Sequence, residues 1–134
     1  VSRRPFEYAV LRVIPRVERG ELVNAGVVVY SQALDFLGAR VHLDPVRVRA
    51  LDPTADIAAI QAALGAFADT CGPDGEGPAA REQIGRRFRW LTAPRSTVVQ
   101  AGPVHTGLSA DPSAELDRLM RLLVLPLPEV RPTD

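Results

Sequence analysis

The sequence predicts an α+β domain in which an antiparallel sheet opens as a β-meander, gains one later strand, and carries helices packed on one face. Three observations carry this expectation. Apolar residues alternate with period two through 6–14, 21–30 and 36–43, and the connections between them are short and turn-rich. The period then changes to helical spacing over about 54–70 and 112–124, each segment beginning near an Asp-Pro pair. A length of 134 residues with 46% hydrophobic content suits one domain with an ordinary core. The domain is expected at 1–125 and a Pro-rich extended tail at 126–134.

Taken in order, Phe6 to Ile14 reads as a first strand, with Phe6, Tyr8, Val10 and Ile14 on one face and Ala9, Leu11 and Val13 on the other. Pro15 to Gly20 turns the chain into residues 21–30, giving an antiparallel hairpin. The run Val27-Val28-Val29 is β-branched on both faces, as in a strand buried on both sides. Asn24 and Gly26 lie in the same strand although both are poor strand formers. A glycine there marks a bulge or the close approach of another backbone or a ligand. Ser31 to Asp35 is a second turn, and Phe36 to Leu43 a third strand with Arg40 and His42 opposite Leu37, Ala39, Val41 and Leu43. Asp44-Pro45 starts a short helix or strand, and Asp52-Pro53-Thr54 a longer helix on which Ile57, Ile60, Leu64 and Phe67 recur. The Gly/Pro-rich stretch 72–78 predicts a mobile loop. A third helix over 79–91 buries Ile84, Phe88 and Leu91 and leaves Arg86 and Arg87 wet. Thr97 to Gln100 is a short strand, 102–110 is irregular, and Asp111-Pro112 opens an amphipathic helix with Leu116, Leu119, Met120 and Leu123 on its stripe. On that helix Asp117 and Arg121 form an i,i+4 pair.

Net charge is zero, from 16 basic and 16 acidic residues, and every basic residue is arginine. Such a bias beside many Ala, Gly and Pro reflects a GC-rich genome more simply than selection for guanidinium chemistry. Charge is segregated, however: five acids and no base lie between Asp52 and Glu76, five arginines and one acid between Arg81 and Arg95. No apolar run reaches the roughly 20 residues of a membrane helix, and Val-Ser-Arg-Arg-Pro leads into a strand and not into a signal-peptide core. The single cysteine, Cys71, excludes an internal disulfide and fits a reducing, cytoplasmic setting.

The familiar catalytic motifs are missing: there is no phosphate-binding glycine loop and no Gly-x-Ser-x-Gly elbow. One cysteine and two distant histidines, His42 and His105, make no metal set, and no cofactor is expected. Two groups of residues remain. Arg19, Glu21, Asn24, Arg40, Arg95 and Ser96 form a polar constellation that could bind a ligand. Plain cross-strand ion pairing explains Arg19 and Glu21 equally well, and Asn24 could tie down an adjacent backbone. The second group, Arg86, Arg87, Arg89 and Trp90, surrounds Phe88. Basic residues interleaved with aromatics can track nucleic acid, but neutral total charge argues against that, and Arg with Trp suits a protein interface.

The stretch from Tyr8 through Arg12 to Pro15, followed by Arg19-Gly20-Glu21-Leu-Val-Asn24-Ala-Gly26-Val27-Val28, resembles the domain of unknown function family numbered 3037. Arg47-Val-Arg49-Ala-Leu51, Arg95-Ser96 through Gln100, and Asp111-Pro112 to Leu119 extend the resemblance over about 6–124. It implies a small bacterial protein, often encoded beside a HipA-like, toxin-type Ser/Thr kinase, and so a kinase as protein partner; it brings no catalytic residues. Two readings follow. The favoured one is a non-enzymatic protein-binding or regulatory module. The rival is a small enzyme or phosphate- or nucleotide-binding domain using Arg19, Glu21, Asn24, Arg40 and Arg95. A homo-oligomer is compatible with either.

Overall fold

The computed structural model describes residues 2–72 and 78–130, the side chains of 78–82 excepted. Its elements are β1 (Arg4–Val13), β2 (Val23–Ser31), β3 (Phe36–Val41), α1 (Pro45–Leu51), α2 (Ile57–Thr70), α3 (Pro78–Thr92), β4 (Val99–Ala101), β5 (His105–Ser109) and α4 (Pro112–Leu123). The strands form one sheet in the order β3-β2-β1-β4, and β5 continues the outer edge along β1. Every pairing is antiparallel, so the class is the expected α+β with a meander start.

The irregular stretch expected at 102–110 is instead mostly strand. Leu11 pairs with Ala101 and Tyr8 with His105, so two residues of β1 face three of the outer strand. Gly102 to Val104 is therefore a local insertion in one interrupted edge strand. Pro103 fits there because its missing N–H is harmless at an edge.

The sheet is covered on both sides. On one face Phe6, Val27 and Val29 pack against Leu116, Leu119, Met120 and Val124 of the α4 region. On the other, Ala9, Leu11, Val28 and Tyr30 meet Cys71, Phe88 and Leu91, while Val13, Val23 and Ala25 meet Val48, Ile60 and Leu64. Thus α1, α2 and α3 share one face, and α4, expected beside α2, takes the opposite one. The physical reason is the valine run. Successive strand side chains point to opposite faces, so Val27 and Val29 need apolar cover of their own.

A bulge sits inside β2. Leu11 pairs with Gly26 and Arg12 with Asn24, leaving Ala25 as the extra residue. Ala25 and Gly26 then face the same side, which shifts the alternation so that Asn24 looks toward α4. Gly26 also meets the expectation of a close backbone approach: a Cβ there would stand 2.7 Å from the Arg40 carbonyl oxygen.

Asp44 and Asp111 cap α1 and α4 as read from the sequence, each accepting a backbone N–H in the first turn. For α2 the cap is Asp56, which accepts from the Ala59 N–H at 3.0 Å. Asp52 instead ends α1 and closes a turn through Thr54, so the helix starts three residues later than expected. The core residues Leu11, Val27, Val29, Ile60, Leu116 and Leu119 are buried as expected, whereas Phe67 and Leu123 are half-buried. Residues 126–130 have no regular structure; the remainder of the expected tail and the 73–77 part of the expected loop lie outside the described residues.

Candidate functional site

The polar constellation does not gather in one place. Arg19 is the last residue of a short 3-10 turn, Val17–Arg19, which is closed by Gly20 with φ of 70°, and Glu21 follows. The Arg19 Nε donates to Glu21 Oε1 at 2.5 Å, and both side chains are exposed. Arg40 donates to Asp117 at 2.6 Å on the α4 face, so Asp117 pairs across to β3 and not with Arg121 as expected. An exposed pair of this kind contributes about 0.2–1 kcal/mol. Asn24 donates through Nδ2 to the Leu123 carbonyl at 3.1 Å and so holds the C-terminal turn of α4 against β2. Arg95 lies on the opposite side of the sheet, and Ser96 beside it is exposed. Asn24→Ala should lower stability by about 1 kcal/mol, since it leaves a helix-terminal carbonyl unpaired. Chemical denaturation checks this, and an unchanged midpoint would show that solvent replaces the amide without cost.

The four residues of the interaction group also separate. Arg89 makes a bidentate pair with Glu7 at 2.8 and 2.9 Å. Arg87, expected on the wet face of α3, is half-buried and donates to the carbonyls of Thr70 and Gly72 at the C-terminal end of α2. A cation there complements the negative end of the helix. Arg86 is exposed, as expected. Trp90 is 60% exposed, and the Arg95 guanidinium lies 4.3 Å from its ring centroid.

Arg95 joins the two groups. It donates to the Trp90 carbonyl at 2.6 Å and to the Leu91 carbonyl at 3.3 Å, which caps the end of α3. It also lies 5.2 Å from the Phe67 ring centroid, between two aromatic faces. Phe67 belongs to the wall of a cleft of about 480 Å³, within the size range of binding pockets. One wall is α2, through Asp56, Ala59, Ile60, Ala63 and Phe67. The other is Pro15 with Thr97, Val98 and Val99, and Asp52, Thr54 and Ala55 line the cleft just before α2 begins. The sequence reading missed this cleft. Its signal was the row Ala55, Ala59 and Ala63, which was legible only as helix propensity but also leaves space beside the helix.

Asp52 is buried at the end of the cleft that precedes α2. Its carboxylate accepts from the Thr54 hydroxyl at 2.7 Å and the Thr54 N–H at 2.9 Å, with Arg16 at 3.6 Å. The two Thr54 bonds chiefly, and Arg16 less, hold its pKa below the ordinary carboxylate range. A pKa lowered by folding means stabilisation that is complete above the unfolded value of about 3.9 and lost as pH falls through the folded value. Thermal melts from pH 6 to pH 2 should therefore show an acid limb that Asp52→Asn flattens. Identical limbs in both proteins would contradict this. The Cys71 thiol, by contrast, is pushed up to about 11 by burial, against the opposing effect of Arg87, so it stays protonated at neutral pH.

Among the described residues no group of three or more His, Cys, Asp or Glu side chains is arranged to hold a metal ion, and no helix is long and apolar enough to cross a membrane. Fold and cleft define a small α+β domain, an antiparallel sheet between helical layers with an apolar groove beside its β4 edge. Residues 8–124 match the model of the family described as Protein of unknown function (DUF3037). The chain belongs to that family. No curated protein and no solved structure matches it.

Proposed function

We propose that the chain is a non-enzymatic protein-binding module that seats a segment of its partner along the α2 cleft, the partner being a HipA-like kinase. The observation that carries this reading is Arg95, stacked between cleft-lining Phe67 and surface-exposed Trp90. Arginine and tryptophan are the residue types most favoured as interface anchors, and here they extend the rim of an apolar groove. The kinase partner rests on the family resemblance read from the sequence.

Co-expression with a HipA-like kinase, followed by size-exclusion chromatography, tests the reading. Wild-type protein should co-elute with the kinase. Ala63→Arg fills the groove from an exposed helix position, and Trp90→Ala removes the anchor; each should release the kinase without lowering the melting temperature. Two independently eluting wild-type proteins would end the kinase assignment.

A further inference from the structure

We propose that the cleft takes an extended segment of about five residues in which a large apolar side chain stands next to a lysine or arginine. The inference rests on the reading of the cleft as a protein-docking site and specifies the occupant.

Length comes from the helix wall. Asp56 to Phe67 spans eleven residue steps along α2, roughly 16 Å at about 1.5 Å per residue. An extended chain covers that distance in about five residues. The apolar anchor follows from the lining, where Ala59, Ile60, Ala63, Phe67, Pro15, Val98 and Val99 offer carbon surface on both walls.

Backbone recognition by strand addition is disfavoured on the β4 side. The Thr97 hydroxyl donates to the Val99 carbonyl at 2.8 Å, and Gln100 Nε2 donates to the Thr97 carbonyl at 2.6 Å. Edge carbonyls already taken by side chains are poor templates for a new strand. The occupant is therefore selected by its side chains.

The sign of the neighbouring charge comes from the end of the cleft at the start of α2. Of the side chains lining the cleft, those that can bond a ligand are Asp52, Thr54, Asp56 and Thr97, and the acidic pair Asp52 and Asp56 lies toward the start of α2. Asp52 is engaged by Thr54 and Arg16, but Asp56 uses one oxygen on the Ala59 N–H, and a carboxylate has further acceptor sites. The positive end of α2 faces the same space, and Asp56 offsets it. At the far end the cation is Arg95 on Phe67. A segment whose basic residue lies toward Asp56 places opposite charges together, whereas an acidic residue there would meet the Asp56 carboxylate.

The test is selection of displayed random twelve-residue peptides on the intact chain, with Ala63→Arg as the control surface. Enriched peptides should carry Lys or Arg next to a large apolar residue. A synthetic peptide of the consensus should bind at least tenfold more weakly to Ala63→Arg. It should bind about fivefold more weakly to Asp56→Asn, which keeps the helix cap while removing the charge. Added salt should weaken binding to the wild type more than to Asp56→Asn. Enrichment that Ala63→Arg abolishes, but with acidic or uncharged neighbours or with no response to Asp56→Asn, would overturn this inference and leave the docking cleft standing. Equal enrichment on wild type and Ala63→Arg, or none on either, would overturn both.

Discussion

Phe88→Ala is expected to destabilise the domain by about 3–5 kcal/mol, the usual cost of emptying a fully buried aromatic site. Phe88 has no exposed surface and belongs to the cluster with Ala9, Leu11, Val28 and Leu91. Its ring stacks on Tyr30, with centroids 5.2 Å apart and planes inclined by 28°. Removing it takes away both the transfer term and the contact that fixes α3 to the sheet, and collapse is hindered because β1 and β2 are held rigidly by their ladder. The melting temperature should fall by roughly 10–20 °C. A denaturant midpoint within error of wild type would mean that α3 does not dock as described.

Leu119→Ala should cost about 2–5 kcal/mol through the other face of the sheet. Leu119 is buried with Phe6, Val27, Val29, Leu116 and Met120, and no residue of the Phe88 cluster belongs to that group. The two losses should therefore add to within about 0.5 kcal/mol, as for sites that share no partners. A stabilising osmolyte keeps the double variant folded for the comparison if water alone does not. A large coupling energy would show that the sheet transmits strain between its faces and that the two cores are not separate.

Much of this arrangement was legible in the sequence, and one reading contained the correction to another. Val27-Val28-Val29 indicated a strand buried on both faces, which already demands a layer on each side, yet α2 and α4 were expected to share one. Helical periodicity says which face of a helix is apolar and nothing about which side of a sheet receives it. Strand β5 is hard to read from sequence because His105, Gly107 and Ser109 are not β-branched and Leu108 is the only large apolar residue in it, so no apolar alternation marks it. It is held by pairing with β1, a contact distant in sequence. The start of α2 was misplaced because Asp52-Pro53-Thr54 and Asp56 both satisfy cap chemistry. Position decided between them: Asp52 is committed to Thr54, at the end of α1.

For the site, Arg95 and Trp90 were recognisable one at a time from residue type. Their meeting through the end of α3 was not, because it depends on where that helix stops. Asn24 stood out as an amide among apolar neighbours, and its partner, the Leu123 carbonyl, lies 99 residues away. Pairing over such a separation leaves no local trace.

That separation bears on the order in which the protein is made. The face of β2 that receives α4 is complete once Ser31 has been synthesised, but its cover arrives only with Pro112–Leu123. At ordinary ribosomal speeds of about 5–20 residues per second, the delay is roughly 5–20 s. Throughout that interval the nascent chain carries Phe6, Val27 and Val29 without Leu116, Leu119 and Met120 to cover them. The opposite layer emerges earlier, so the growing chain can close one side of its sheet while the other still waits for the last helix.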